Sequence, residues 1–337
     1  MTELIERIYG CLAGLAIGDA MGIPGELTPS LTRARFGQIE DFVAPSADHL
    51  AHRGLRAGQV TDDTQQALAI VKSIVRVGHI DSEDVSRSLI EWFDQIDGLN
   101  QNYVGPSTKR AIQSLKEGVS FKESGRWGWT DGSAMRVAPV GFLHTGDLPA
   151  TVEAAYKVSL PTHATNTAIS GAAAVACAIS QAAVEGSSLV EIVEAAKIGA
   201  GLGERLGESY FCPSIARRID FAVSLVQQDK SEEERLRDLY DLVGTGLACY
   251  EIVPAALALF VMAEGDPMKT ILLAVNAGGD SDTSGAIGGA IAGAFRGAAA
   301  IPEQKIKFVE RVNGLDLKAV AQDLYGVISA QKTTGEF

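Results

Sequence analysis

Two short runs of the sequence carry carboxylates and hydroxyls at a spacing that could hold a cation. The first is TDDT at residues 61–64, within GQVTDDTQQAL, and the second is DSDT at residues 280–283, within NAGGDSDTSGAIGG. Either run alone reads as an ordinary helix start, because Asp, Ser and Thr are preferred N-cap residues and acids complement the positive end of the helix dipole. Together they resist that explanation. A cap needs one acceptor, whereas Asp62, Asp63, Asp280 and Asp282 offer four carboxylates, with Thr61 and Thr283 beside them. If the two runs converge, their repulsion is severe without a counter-charge. Hard divalent cations take such oxygen ligands, and Mg²⁺ in particular favours a few carboxylates with several retained waters. A two-metal site is the economical reading.

The elements that would position these runs have helical texture. Apolar residues rich in Ala and Leu recur every three or four positions, as in SEDVSRSLIEWFDQI and SLVEIVEAAKIGAGLG, between short Gly, Pro and Asp breaks. No regular alternation of β-branched and polar residues would build a sheet. The prediction is an all-α, multi-helix domain. No linker splits the chain, so residues 1–330 form one domain, and QKTTGEF at 331–337 is expected to fray. Residues 24–60 and 98–132 are expected to be irregular and, at that length, functional.

An internal echo adds a packing expectation. GCLAGLAIGDAMG places Gly10, Gly14, Gly18 and Gly22 four apart, and GAIGGAIAGAFRG does the same for Gly285, Gly289, Gly293 and Gly297. On a helix each set forms a ridge along one face. Every interior Gly costs about 1 kcal/mol relative to Ala, so a row of four asks for compensation through close backbone approach. The two ridged helices are expected to lie together at the centre. A membrane origin for the ridges is disfavoured, since Asp19 interrupts one segment and Arg296 ends the other.

Composition narrows the partners. The formal net charge is −13, from 29 Lys and Arg against 42 Asp and Glu, which argues against broad nucleic-acid or anionic-membrane binding. An anionic substrate would need a local positive feature, and bound cations could be that feature. The four cysteines, Cys11, Cys177, Cys212 and Cys249, are far apart with no zinc-like spacing, so buried free thiols are expected. MTELIERIYG lacks the features of a signal peptide, and a cytoplasmic location is the default expectation. No GxSxG elbow, HExxH or P-loop occurs.

At this point the sequence resembles the ADP-ribosylglycohydrolase family. The resemblance rests on GCLAGLAIGDAMGIPGE at 10–26, TDDT at 61–64, DGSAMRVAPVG at 131–141, PTHAT at 161–165 and GGDSDTSGAIGGAIAGAFRG at 278–297. It implies a single all-α, orthogonally packed domain with two Mg²⁺ ions, or Mn²⁺ in some members. Thr61, Asp62, Asp63, Asp280, Asp282 and Thr283 match the ligand positions. Glu26 falls where some members carry a glutamate that assists catalysis, with Asp62 and Asp282 at the reacting centre. Gly132, Ser133, Met135 and Arg136 match a substrate loop, Arg136 being the expected cation for a diphosphate. His163 matches a frequent family histidine near the site. Trp127 and Trp129 could stack on a base or pack the loop. His49, His52, His79 and His144 have no partner motif and are given no role.

The activity implied is hydrolysis of a glycosidic bond at ribose C1, in ADP-ribosylated protein or a small ADP-ribose derivative. A hydrolase of free nucleosides or other small N-ribosyl compounds is the alternative. An arginine-lined diphosphate pocket beside the metals would separate the two. A non-catalytic binding or structural relative is a third reading, disfavoured by the intact ligand positions. Oligomeric state is left open.

Overall fold

The computed structural model describes residues 3–334. It is 67% helical, and no strand occurs among the described residues. In chain order the helices are α1 (Glu3–Gly22), α2 (Pro29–Phe36), α3 (Asp62–Val77), α4 (Ser82–Gln95), α5 (Pro106–Lys116) and α6 (Phe121–Ser124). They continue with α7 (Leu148–Ser159), α8 (Asn166–Ala182), α9 (Leu189–Gly203), α10 (Ile215–Val226) and α11 (Glu232–Asp238). The last are α12 (Cys249–Met262), α13 (Pro267–Ala277), α14 (Ser281–Arg296), α15 (Glu303–Asn313) and α16 (Leu317–Thr334). The expectation of an all-α fold holds. The main hydrophobic core draws on residues from Ile8 to Ile328.

At its centre α1 and α14 run antiparallel in backbone contact. A Cβ on Gly10 would lie 2.4 Å from the Gly293 carbonyl oxygen, one on Gly14 would lie 2.1 Å from that of Gly289, and one on Gly18 would lie 2.0 Å from that of Gly285. Real Cβ atoms do not approach so closely, so each of these positions excludes even alanine. The fourth glycine, Gly22, packs against the backbone of Asp282. The glycine ridges therefore do more than pack the core. They fix the register that sets the end of α1 against the start of α14, where the second aspartate run begins.

Local chemistry starts the other helices as the residue types dictate. The Thr61 side chain accepts from the Asp63 amide to cap α3, and Asp81 accepts from Asp84 to cap α4. Ser188 and Glu191 form a reciprocal capping box at α9. All four cysteines are free thiols; Cys11, Cys177 and Cys249 are buried as expected, whereas Cys212 is half-buried. No described helix is long and apolar enough to cross a membrane.

Two expectations need correction. Residues 24–60 contain α2, started by Pro29 behind a Thr28 cap. Residues 98–132 contain α5, started by Pro106, and α6, capped by Ser120. Proline at the first helical turn is compatible with a helix start, and the loop-like composition around it concealed that. Of the tail at 331–337, residues 331–334 continue α16, and residues 335–337 lie outside the described residues.

The helix contact makes a sharp prediction. Gly289→Leu should destabilise the protein by at least about 3 kcal/mol in urea denaturation, since the added atoms meet backbone that cannot rotate away. Gly326→Ala, at an exposed and uncrowded position in α16, should be neutral or slightly stabilising. Equal midpoints for the two variants would refute the contact.

Candidate metal centre and active site

The two aspartate runs meet in one cleft. Asp62 and Asp63 line it from the first turn of α3, and Asp280, Asp282 and Thr283 line it from the first turn of α14. Glu26 joins them from the turn after α1, together with His52, Asp131, Tyr103, Thr130, Met135 and Leu247. The cleft measures about 60 Å³. A larger cavity of about 440 Å³ between α2, α11 and the end of α13 includes none of the aspartates of the two runs.

Each acid is aimed by its surroundings. Gly278 and Gly279 take positive φ, so the chain turns sharply before Asp280. The Asp280 amide then donates to the Thr245 carbonyl at 2.7 Å, and Ser281 ties α14 to the end of α1 by donating to the Gly22 carbonyl at 2.8 Å. On the other wall Asp19, fully buried in α1, accepts from the amides of Thr61 and Thr64 and from both hydroxyls, the shortest bond being 2.6 Å. That one carboxylate anchors the start of α3. Thr61 is thus enclosed behind the cleft rather than lining it, while its neighbours Asp62 and Asp63 reach it.

The donor set fits a divalent cation. Glu26 Oε2, Asp63 Oδ2, Asp131 Oδ2, Asp280 Oδ2 and Asp282 Oδ1 are all buried without a hydrogen-bond partner. Buried polar atoms are seldom left so, and carboxylate oxygens grouped this densely ask for positive charge. Burial first, and neighbouring acids second, raise Asp62, Asp63 and Asp280 well above the carboxylate range. Burial likewise raises Asp19 to about 6 and both Glu26 and Asp131 to about 7. Asp282 differs. Burial alone would raise it, but the charge and hydrogen bond of His52 outweigh that and hold it at about 2. His52 is itself opposed by burial, and Asp282 with Glu26 lifts it to about 9. Its Nε2 lies 3.1 Å from Asp282 Oδ2 and its Nδ1 donates to the Ile23 carbonyl at 2.9 Å. One oxygen of Asp282 is therefore committed to His52 and the other is free to face a ligand.

A buried hydrogen-bond chain runs behind the cleft and begins and ends on its walls. Gln66 donates to Asp62 Oδ2 at 3.0 Å, and Arg136 donates to Gln66 Oε1 at 2.8 Å. Arg136 also donates to the Val158 carbonyl and, at 2.6 Å, to the Thr162 hydroxyl. Thr162 lies 2.7 Å from His163 Nδ1, and His163 Nε2 lies 3.0 Å from the Thr130 hydroxyl. Because Thr162 accepts from Arg136, its own proton goes to His163 Nδ1. Burial, then the Arg136 charge, keep His163 well below its ordinary pKa and hence neutral, so its remaining proton sits on Nε2 and points to Thr130. Polarity thus propagates from a single buried cation.

The expected substrate residues separate into two groups. Gly132 and Met135 line the cleft. Gly132 is needed there because a Cβ would meet the His163 ring at 2.5 Å. Ser133, Arg136 and His163 are fully buried and bonded within the protein, so the cation expected for a diphosphate is not presented to the cleft. Among the residues lining it there is no lysine or arginine. Trp129 is half-buried and stacked on Tyr210, with ring centroids 5.9 Å apart, whereas Trp127 is 64% exposed beneath Arg126.

Sequence reasoning missed Asp19, His52, Gln66 and Asp131. Asp19 did carry a signal, as an acid on an otherwise glycine, alanine and aliphatic helix, where burial demands partners. His52 and Asp131 lie in loop-like sequence with no periodicity to place them.

Comparison with known proteins bears on this geometry. The profile of the ADP-ribosylglycohydrolase family matches residues 1–334. The chain belongs to the ADP-ribosylglycohydrolase family. It is 36% identical over 322 residues to the uncharacterized protein YegU of Escherichia coli (strain K12), covering 95% of this chain and 96% of YegU. It is 26% identical over 358 residues to the ADP-ribosylhydrolase ARH3 of Bos taurus, covering 96% and 93% of the two chains. A solved structure named ADP-ribosylglycohydrolase-related protein complex superposes with a TM-score of 0.70 at 24% identity, over 97% of this chain and 100% of the other. The protein is accordingly a glycosyl hydrolase.

The raised acids predict how the metal-free protein responds to pH. A carboxyl whose folded pKa lies above its unfolded value stabilises the fold fully below about pH 4, and that stabilisation is lost as pH rises through the folded value. Asp19, at about 6, and Glu26 and Asp131, at about 7, set the window. Asp282 has the opposite sign, and its contribution is lost only in strong acid. The melting temperature of EDTA-treated protein should fall between about pH 5 and 7.5, and Mg²⁺ or Mn²⁺ should reverse the fall. A melting temperature flat across that range would contradict the assignment.

Proposed function

We propose that the protein hydrolyses the glycosidic bond at C1 of a ribosyl unit at this cleft, with two Mg²⁺ ions, or Mn²⁺, held by Asp62, Asp63, Asp280, Asp282 and Thr283. The observation that carries the reading is the gathering of partnerless carboxylate oxygens from four separate segments at one small cleft. Bound there, divalent cations would neutralise the acids and supply Lewis-acid polarisation of ribose and water oxygens.

The chain's own groups then divide the remaining work. Glu26 is the proton carrier: burial and then Asp282 raise it to about 7, so it can take a proton from the attacking water and return one to the leaving group near neutral pH. His52 holds Asp282 ionised and keeps its orientation. Thr130, accepting from His163, has its own hydroxyl proton available to a substrate oxygen. The side chains of Met135, Tyr103 and Leu247 supply apolar wall to the cleft. Attack at C1 proceeds as the bond to the leaving group loosens towards an oxocarbenium-like state.

Relatives named as ADP-ribosylhydrolases support an ADP-ribosyl substrate, in modified protein or in a small derivative. A cleft of about 60 Å³, against the roughly 300 Å³ or more of a pocket that encloses a whole ligand, suits the ribosyl end alone. A second reading, hydrolysis of an uncharged nucleoside or other small N-ribosyl compound, is favoured by one observation: no lysine or arginine lines the cleft.

The test is Mg²⁺-dependent product release from a panel of ADP-ribosylated arginine and serine peptides, O-acetyl-ADP-ribose and ribonucleosides. Release of ADP-ribose supports the first reading, and release of base with ribose alone supports the second. Glu26→Gln should lower kcat by about 10²- to 10⁴-fold with Mn²⁺ binding retained. An Asp282→Ala protein with full activity would sink the ligand assignment.

A further inference from the structure

Asp131 belongs to neither aspartate run, yet the fold treats it as part of the same centre. It opens a short 3₁₀ turn, Asp131–Ser133, and is 5% exposed, with its Oδ2 buried, partnerless and on the cleft. The backbone positions it beside Asp280 through a shared segment. The Asp280 amide donates to the carbonyl of Thr245 at 2.7 Å, and the Asp131 amide donates to the carbonyl of Leu247, two residues on, at 3.0 Å. A bridge between Thr130 and Ala248 and the Cys249 thiol on the Thr130 carbonyl pin the same junction. Suspended from neighbouring carbonyls, the carboxyl groups of Asp131 and Asp280 come into hydrogen-bonding contact.

An ordinary structural role does not account for this arrangement. Asp131 forms no ion pair with a lysine or arginine among the described residues. Its partnerless oxygen points to where Asp62, Asp63 and Asp282 also point. Two buried carboxyls in contact must share either a proton or a cation, and a neutral side chain would fill the position without that conflict. We infer that Asp131 is a ligand of the cation held by Asp280, an additional carboxylate that the sequence motifs do not announce. The inference rests on the metal reading proposed above and deepens it. Its consequence is chemical: one more negative ligand tightens that site for a hard divalent cation and accounts for much of the cleft's demand for positive charge.

Isothermal titration with Mn²⁺, followed by electron paramagnetic resonance of bound Mn²⁺, tests this on wild-type protein and Asp131→Asn. The wild type should bind two ions. The variant should bind one of them at least about tenfold more weakly, with an altered Mn²⁺ spectrum. In EDTA near pH 7.5 its melting temperature should equal or exceed that of the wild type, because the carboxyl conflict is gone. If Asp131→Asn does not fold, Asp131→Ser is measured in the same way. Two ions bound with unchanged affinity in a folded variant would overturn the inference, whatever happens to kcat. Failure of the wild type itself to bind Mn²⁺ would instead overturn the metal reading, and this inference with it.

Discussion

The backbones of α1 and α14 touch at successive turns because glycine faces glycine, and the rest of the molecule is arranged around that contact. Side chains normally hold packed helices 8–10 Å apart, and their rotamers leave room to slide. A row of glycine carbonyls pressed into the opposite backbone leaves none. Register becomes a property of main chain. The consequence appears at one end of the pair, where Gly22 meets Asp282 and Ser281 bonds the Gly22 carbonyl. Glu26 leaves one helix where Asp282 enters the other, so two acids of the cleft are brought together by packing. Asp19, lower on the same helix, reaches across to bind Thr61 and Thr64 at the start of α3 and so brings in Asp62 and Asp63. One rigid contact thus indexes both aspartate runs.

That arrangement works against stability in the absence of a ligand. A core of this size can tolerate it, since the main hydrophobic cluster extends through most of the helices. The acids cannot relax by turning outward, because each is tied at its backbone: Asp280 to Thr245, Asp131 to Leu247, and the start of α3 to Asp19. The site is preorganised for charge that the protein itself does not supply. His52 is the exception: its charge is shared between Asp282, at 3.1 Å, and Glu26, at 3.4 Å, and it keeps Asp282 ionised when its neighbours favour protonation.

How much of this could be read from sequence follows from what each feature depends on. The glycine ridges, the two aspartate runs and the helical texture are local patterns with periods of three to four residues, so they survive in one dimension. Thr61 shows the limit: a helix cap and a ligand-type residue look identical in sequence, and in the structure it caps α3 while its neighbours line the cleft. Asp131 and His52 depend on tertiary placement alone. Asp131 acquires meaning only because residues 245–247 hold it beside Asp280, and nothing within ten residues of it announces that segment. The helices α5 and α6 were hidden for a different reason, since their capping residues and the loop around them share a composition.

Arg136 shows how the same residue type can serve recognition at a distance. An arginine near an acidic site invites the expectation of a phosphate ligand, but burial without an exit path converts it into a source of polarity. Its two terminal nitrogens donate to Gln66, Thr162 and Val158, and through them it sets which way Thr130 and Asp62 present themselves to the cleft. Had the guanidinium pointed into the cleft, it would have competed with cations for the same carboxylates and paired with Asp62 directly. Withdrawn behind Gln66, it lies near enough to favour ionised Asp62 yet leaves that carboxylate an oxygen to offer. The division keeps the Arg136 charge out of the cleft, where His52 is the one cationic side chain among the lining residues. On the function proposed above, selectivity between an ADP-ribosyl compound and a simple nucleoside falls to groups beyond the cleft floor, since no lysine or arginine lines the cleft itself.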